Sequence, residues 1–143
     1  MVSVYDLYNE MIENGILLFD YKQNGTAAAT IRINETYGVF LDSRILDTLA
    51  KEKTIVAHEC GHCFTGSTHA IYSPFDVIEK HEYKANKWAA HRVMPIEEIK
   101  KSLRDGCVEP WQLAERFNVT EDFVKTALYI YQCEDALQEC VAM

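Results

Sequence analysis

The sequence predicts an α+β fold, mostly helical, with one small antiparallel sheet and a helix-turn-helix-like segment near its C-terminal end. Three observations lead there. Apolar residues recur at helical spacing over Val4–Asn14, 43–64 and 77–94. Short strand-like runs occur only at Ile16–Phe19, Ala28–Ile33 and Tyr37–Leu41, all close together in the chain. The order is therefore helix, strands, then helices, without the βαβ alternation of a parallel sheet.

The elements follow in order. Val4, Leu7, Tyr8, Met11 and Ile12 lie on one face of the first helix, which Asn14-Gly15 ends. Ile16-Leu17-Leu18-Phe19 is a short apolar strand, and Lys22-Gln23-Asn24-Gly25 reads as a turn. Asn34-Glu35-Thr36 separates the next two strands. Asp42-Ser43 offers a helix start, and helix is expected from about Ser43 to Phe64, with Lys51-Glu52-Lys53 its weakest stretch and Gly66 its end. A loop punctuated by Pro74 leads to a long helix, Val77–Met94, which Pro95 stops. Pro95-Ile96-Glu97-Glu98 opens another helix, ended at Asp105-Gly106. The tail reads as helix (Pro110–Phe117), tight turn (Asn118-Val119-Thr120) and helix (Glu121–Tyr131), with Thr120 as N-cap of the last. We divide the chain into a core, residues 1–95, and a C-terminal helical segment, 96–143, packed on it.

Composition narrows the function. Apolar residues make up 48% and charged residues 25% of the 143, an ordinary globular balance. No apolar run approaches the eighteen or so residues of a membrane span. The N-terminus lacks the basic-then-apolar layout of a secretory signal, so a cytoplasmic protein with reduced thiols is expected. Five cysteines are present, Cys60, Cys63, Cys107, Cys133 and Cys140; Cys60 and Cys63 read as small core residues. The net charge is −8, with residues 96–143 contributing −5, so no basic patch for a nucleic-acid backbone stands out.

The chemistry is concentrated in His58-Glu59-Cys60-Gly61-His62. This is H-E-x-x-H, the pattern of a helix-borne zinc site with a built-in general base. At about 100° per residue the two histidines lie a turn apart on one face, both able to reach one tetrahedral ion, while Glu59 points to the neighbouring sector. Zinc there lowers the pKa of water to about 7, and a carboxylate takes the proton. A catalytic site needs a third protein ligand. The downstream candidates are His69, Asp76, Glu79, His81, Glu82 and His91. Glu82 is preferred because Glu82, Ala85, Asn86 and Ala89 share a face whose small alanines permit close helix approach. Asn86 then stands where it can orient a ligand by hydrogen bonding.

Glu82-x-x-Ala85-Asn86-x-Trp88-Ala89-Ala90 followed by Met94-Pro95, together with the H-E-x-x-H motif, resembles the ImmA/IrrE family of zinc metallopeptidases. That family's pattern is H-E-x-G-H, then E-x-x-A-N-x-F-A-A-x-x-x-M-P. The likeness covers most of residues 40–131, and Trp111–Tyr131 resembles the helix-turn-helix-like segment that often follows the family's zincin-like peptidase core. Two positions depart: Cys60 stands where leucine or isoleucine is usual, and His91 where an aliphatic residue is usual. The resemblance implies that His58, His62 and Glu82 bind Zn2+ and that Glu59 is the catalytic base. It also implies a protein substrate, a helix-turn-helix transcriptional repressor of a prophage or mobile element. For an oxyanion donor, His69, Tyr72 and His91 are available, with Tyr72 the first choice; His91 lies about 13.5 Å along the helix from Glu82.

Two other functions compete. One is a regulator that binds DNA or protein through Trp111–Tyr131; the run Glu121-Asp122-Phe123-Val124-Lys125-Thr126-Ala127 has one lysine and two acids, a poor groove reader, so direct nucleic-acid binding is not expected. The other is a protein that keeps zinc for structure, a use that gives Glu59 no purpose.

Overall fold

The computed structural model describes residues 1–22, 25–68 and 73–134. Its elements are α1 (Val4–Glu13), β1 (Leu17–Asp20), β2 (Ala28–Ile33), β3 (Thr36–Leu41), α2 (Leu49–Thr65), α3 (Phe75–Val93), α4 (Ile96–Arg104), α5 (Pro110–Phe117) and α6 (Glu121–Cys133). The fold is α+β. Gln23 and Asn24 of the expected turn, and the candidates His69 and Tyr72, lie outside the described residues. Among the described residues no helix is long and apolar enough to cross a membrane.

The sheet corrects one expectation: it is mixed, not wholly antiparallel. Its order is β1-β3-β2, with β2 antiparallel and β1 parallel to β3. The strand with the deepest inward side chains, Val39 and Leu41 on β3, takes the centre and is flanked on both sides. Only seven residues, 21–27, join β1 to β2, and β2 starts at the edge where β3 ends, so β1 on the far side of β3 must end at that same edge and run parallel to β3.

A second correction concerns the start of α2. Asp42 and Ser43 do not begin it. The buried Asp42 carboxylate accepts from the Arg44 backbone and guanidinium, turning the chain. Thr48 in extended conformation is the N-cap, its hydroxyl accepting from the Lys51 amide. From there α2 continues unbroken through Lys51–Lys53 to the left-handed Gly66 (φ +64°).

Lys53 keeps that stretch helical by joining the interior. It is 3% exposed, and its Nζ donates to the Phe117 carbonyl at 2.6 Å, where α5 ends in the left-handed Asn118. Burial holds its ammonium below the ordinary lysine pKa, while the negative end of α5 stabilises the charge. Beside it the Thr120 amide donates to Thr54 Oγ1 at 3.1 Å. The α5–α6 turn is thus latched to α2, and Leu113, Phe117, Phe123, Ile130 and Tyr131 share one core cluster with Val56, Ala89 and Val93. Lys53→Met, which keeps the stem and removes the donor, is expected to lower unfolding free energy by about 1–3 kcal/mol. Chemical denaturation checks this; an unchanged midpoint and slope would remove the latch.

Candidate active site

Two helices build the site. α2 crosses α3 so closely that a Cβ added to Gly61 would lie 2.3 Å from the Ala85 carbonyl oxygen. Gly61 and the fully buried Ala85 are therefore the contact point, with His58 and His62 on one side of it and Glu82, one turn before Ala85, on the other.

His58 Nε2 lies 2.8 Å from Glu82 Oε2, His62 Nε2 lies 3.1 Å from Glu82 Oε1, and the two Nε2 atoms are 3.1 Å apart. A tetrahedral ion with bonds of about 2.0–2.1 Å sets its ligand atoms about 3.3 Å apart, so the group accepts one with an opening of a few tenths of an ångström. Among the described residues these three form the group that could hold a metal ion; Glu79, His81 and Asp76 are not in it. The donor set, two imidazoles and a carboxylate, suits Zn2+.

Each ring is oriented from behind. His58 Nδ1 lies 2.7 Å from Asn86 Oδ1, and His62 Nδ1 lies 2.9 Å from the Ser67 carbonyl oxygen. Both acceptors fix the Nδ1–H tautomer and leave the Nε2 lone pair for an ion. Asn86 was legible from its place one turn after Glu82. Ser67 was not, because only the left-handed turn at Gly66 brings its carbonyl back over His62. Electrostatics agree with the geometry. When their Nε2 atoms carry protons, His58 and then His62 donate to Glu82 and hold its carboxyl well below the usual carboxylate range. Burial disfavours charge on His58, but the Glu82 hydrogen bond and the charges of Glu59 and Glu82 outweigh it and raise the ring's pKa.

Glu59 is 6% exposed beside this group, and its Oε2 accepts a hydrogen bond from the Thr30 hydroxyl. The sequence pattern does not mark Thr30. In Ala28–Ile33 the isoleucines invite placement on the inner face, yet Thr30, opposite the buried Val39, points to α2 while Ile31 is 51% exposed. Nothing local to the strand reveals that choice.

A cavity of about 370 Å³ opens over the site, lined by Ala28, Ala29 and Thr30 of β2 and by His58, Glu59, His62, Thr68 and Glu82. Among the described residues no lysine or arginine is in its walls. The family model described as the IrrE N-terminal-like domain, Peptidase_M78, matches residues 12–129. The chain belongs to the ImmA/IrrE family of metallopeptidases. A search of curated proteins and a search of solved structures each find no match. The family match runs from α1 nearly to the end of α6, so in this ImmA/IrrE chain the tail helices fall within the matched region.

Among the described residues, the candidate His91 does not join the site. His91 pairs with Glu134 at 3.0 Å and its ring packs against Tyr131, tying α3 to the end of α6. Cys60 and Cys63 are buried and unbridged; burial pushes the Cys63 thiol up to about 12 and raises that of Cys60 as well. They fill the core between α2 and its neighbours.

Proposed function

We propose that this protein is a zinc-dependent endopeptidase that acts in the cytoplasm on a helix-turn-helix repressor of a prophage or mobile element. One observation carries the catalytic part: a buried carboxylate, Glu59, is held by Thr30 beside a three-residue metal-binding group that leaves a position open to a cavity. A structural zinc site closes with four protein ligands; three come together here among the described residues.

His58, His62 and Glu82 hold the ion, with Asn86 and Ser67 keeping the rings in the ligating tautomer. Zinc, when bound, supplies a Lewis acid for the peptide carbonyl and lowers the pKa of water. Thr30 occupies Glu59 Oε2, so the other oxygen receives the proton during attack and returns it to the departing amine. β2 is an edge strand bordering the cavity, and an extended substrate segment can lie along it by main-chain hydrogen bonding. The described part of the C-terminal segment, 96–134, serves as a packed wall and recognition element of this unit, not as a DNA reader. The repressor assignment rests on the family.

Incubating the zinc-loaded protein with a helix-turn-helix repressor encoded by a neighbouring gene, where one exists, tests the whole reading. Discrete fragments are expected, abolished by a chelator and restored by zinc; a repressor that stays intact under every metal condition would overturn it. Glu82→Ala is expected to weaken zinc at least tenfold, since two imidazoles alone remain, as read by competition with a chromophoric chelator. Unchanged affinity would assign the third ligand elsewhere.

A further inference from the structure

Next to the metal-binding group, a second cavity of about 330 Å³ shares Ala28, His58 and Glu59 with the first and runs toward the N-terminus of α6. Its far wall comes from the tail: Thr120, Asp122, Phe123 and Thr126 face Thr54 and Ile55 of α2. The latch of Thr120 to Thr54 holds that wall in place. We propose that this cavity is a specificity pocket for a basic side chain of the substrate, lysine or arginine, with Asp122 as its charge partner. The proposal rests on the peptidase reading for its substrate and on the pocket's own chemistry for its preference.

Three features point the same way. Ile55 and Phe123 offer apolar surface on which an aliphatic stem can lie, as lysine and arginine stems do. Among the described residues no lysine or arginine lines the cavity to repel a cationic head. Of the two carboxylates that line the cavity, Glu59 already accepts from Thr30 beside the metal-binding group, which leaves Asp122, exposed on the far wall, to meet a cation. Its place in the first turn of α6 would also let it stabilise the helix end, but so would its neighbour. Glu121 is in that same turn and does not line the cavity, so the pair separates helix stabilisation from recognition.

Two measurements on the full chain decide it. The first is independent of turnover: N-acetyl-arginine amide, with N-acetyl-norleucine amide as the neutral comparison, is titrated into the protein and followed by amide NMR. The arginine compound is expected to shift Thr126, Phe123 and Ile55; Asp122→Asn should weaken it about five- to tenfold, and Glu121→Gln should not. The second is cleavage of a peptide library by the zinc-loaded protein. Lysine or arginine should be enriched at one position flanking the cut, and Asp122→Lys should replace that preference with aspartate or glutamate. Cleavage without a basic preference, or arginine binding that ignores Asp122→Asn, overturns the pocket and leaves the peptidase intact. Asp122-dependent binding with an uncut library keeps the pocket and removes the peptidase. Neither binding nor cleavage removes both.

Discussion

Glu59→Gln is expected to retain one zinc per chain and to lose peptide hydrolysis by about 10²–10⁴-fold, the range that a positioned general base contributes. The substitution preserves volume at a residue that is 6% exposed, and an amide oxygen still accepts from Thr30. Neither the fold nor the positions of His58, His62 and Glu82 should change. What disappears is a group able to take a proton and return it. Metal content by mass spectrometry of the native protein and fragment formation from a cleavable protein or peptide substrate are the two readouts. A variant that cuts as fast as the parent would remove Glu59 from the chemistry; one that loses zinc would make it part of the ligand set.

Gly61→Ala is expected to lower the thermal midpoint by several degrees and to weaken zinc at least tenfold. In an exposed helix the same change favours folding by about 1 kcal/mol, so the sign is informative. Here the new Cβ would lie 2.3 Å from the Ala85 oxygen and 2.8 Å from its carbonyl carbon and Cα. These are backbone atoms, which no rotamer change moves, and α2 and α3 must separate by roughly an ångström to restore ordinary contact. Overpacking of this kind costs about 1–3 kcal/mol. The same separation carries Glu82 away from His58 and His62, because Glu82 is on α3 and the histidines are on α2. Thermal unfolding with and without zinc, beside a chelator competition, measures both effects. A stabilised variant with unchanged zinc affinity would mean that the helices do not meet at this point.

The extent of what could be read in advance follows from the range of the interactions. His58 and His62 are legible because a turn of helix fixes their relation, and Glu82 with Asn86 because the alanines beside them mark a close-packed face. Thr120 is legible as a cap for the same local reason, its hydroxyl accepting from the Phe123 amide three residues on. The start of α2 was missed because Asp42 satisfies its own turn in place of capping a helix, an outcome secured by Arg44. The parallel pairing of β1 was missed because adjacency in sequence favours a meander, whereas burial of Val39 and Leu41 puts β3 in the middle.

The chain alone determined the helices, most of their ends, the paired imidazoles and the carboxylates that accompany them, since each depends on residues within a few positions of one another. Only the tertiary structure decided which face of β2 meets α2, and so that Thr30 holds Glu59. It also decided that Ser67 returns to orient His62, and that the tail helix walls a pocket beside the site. Those contacts join segments distant in sequence, and their geometry is set by how close two helices may approach and which strand the core buries deepest.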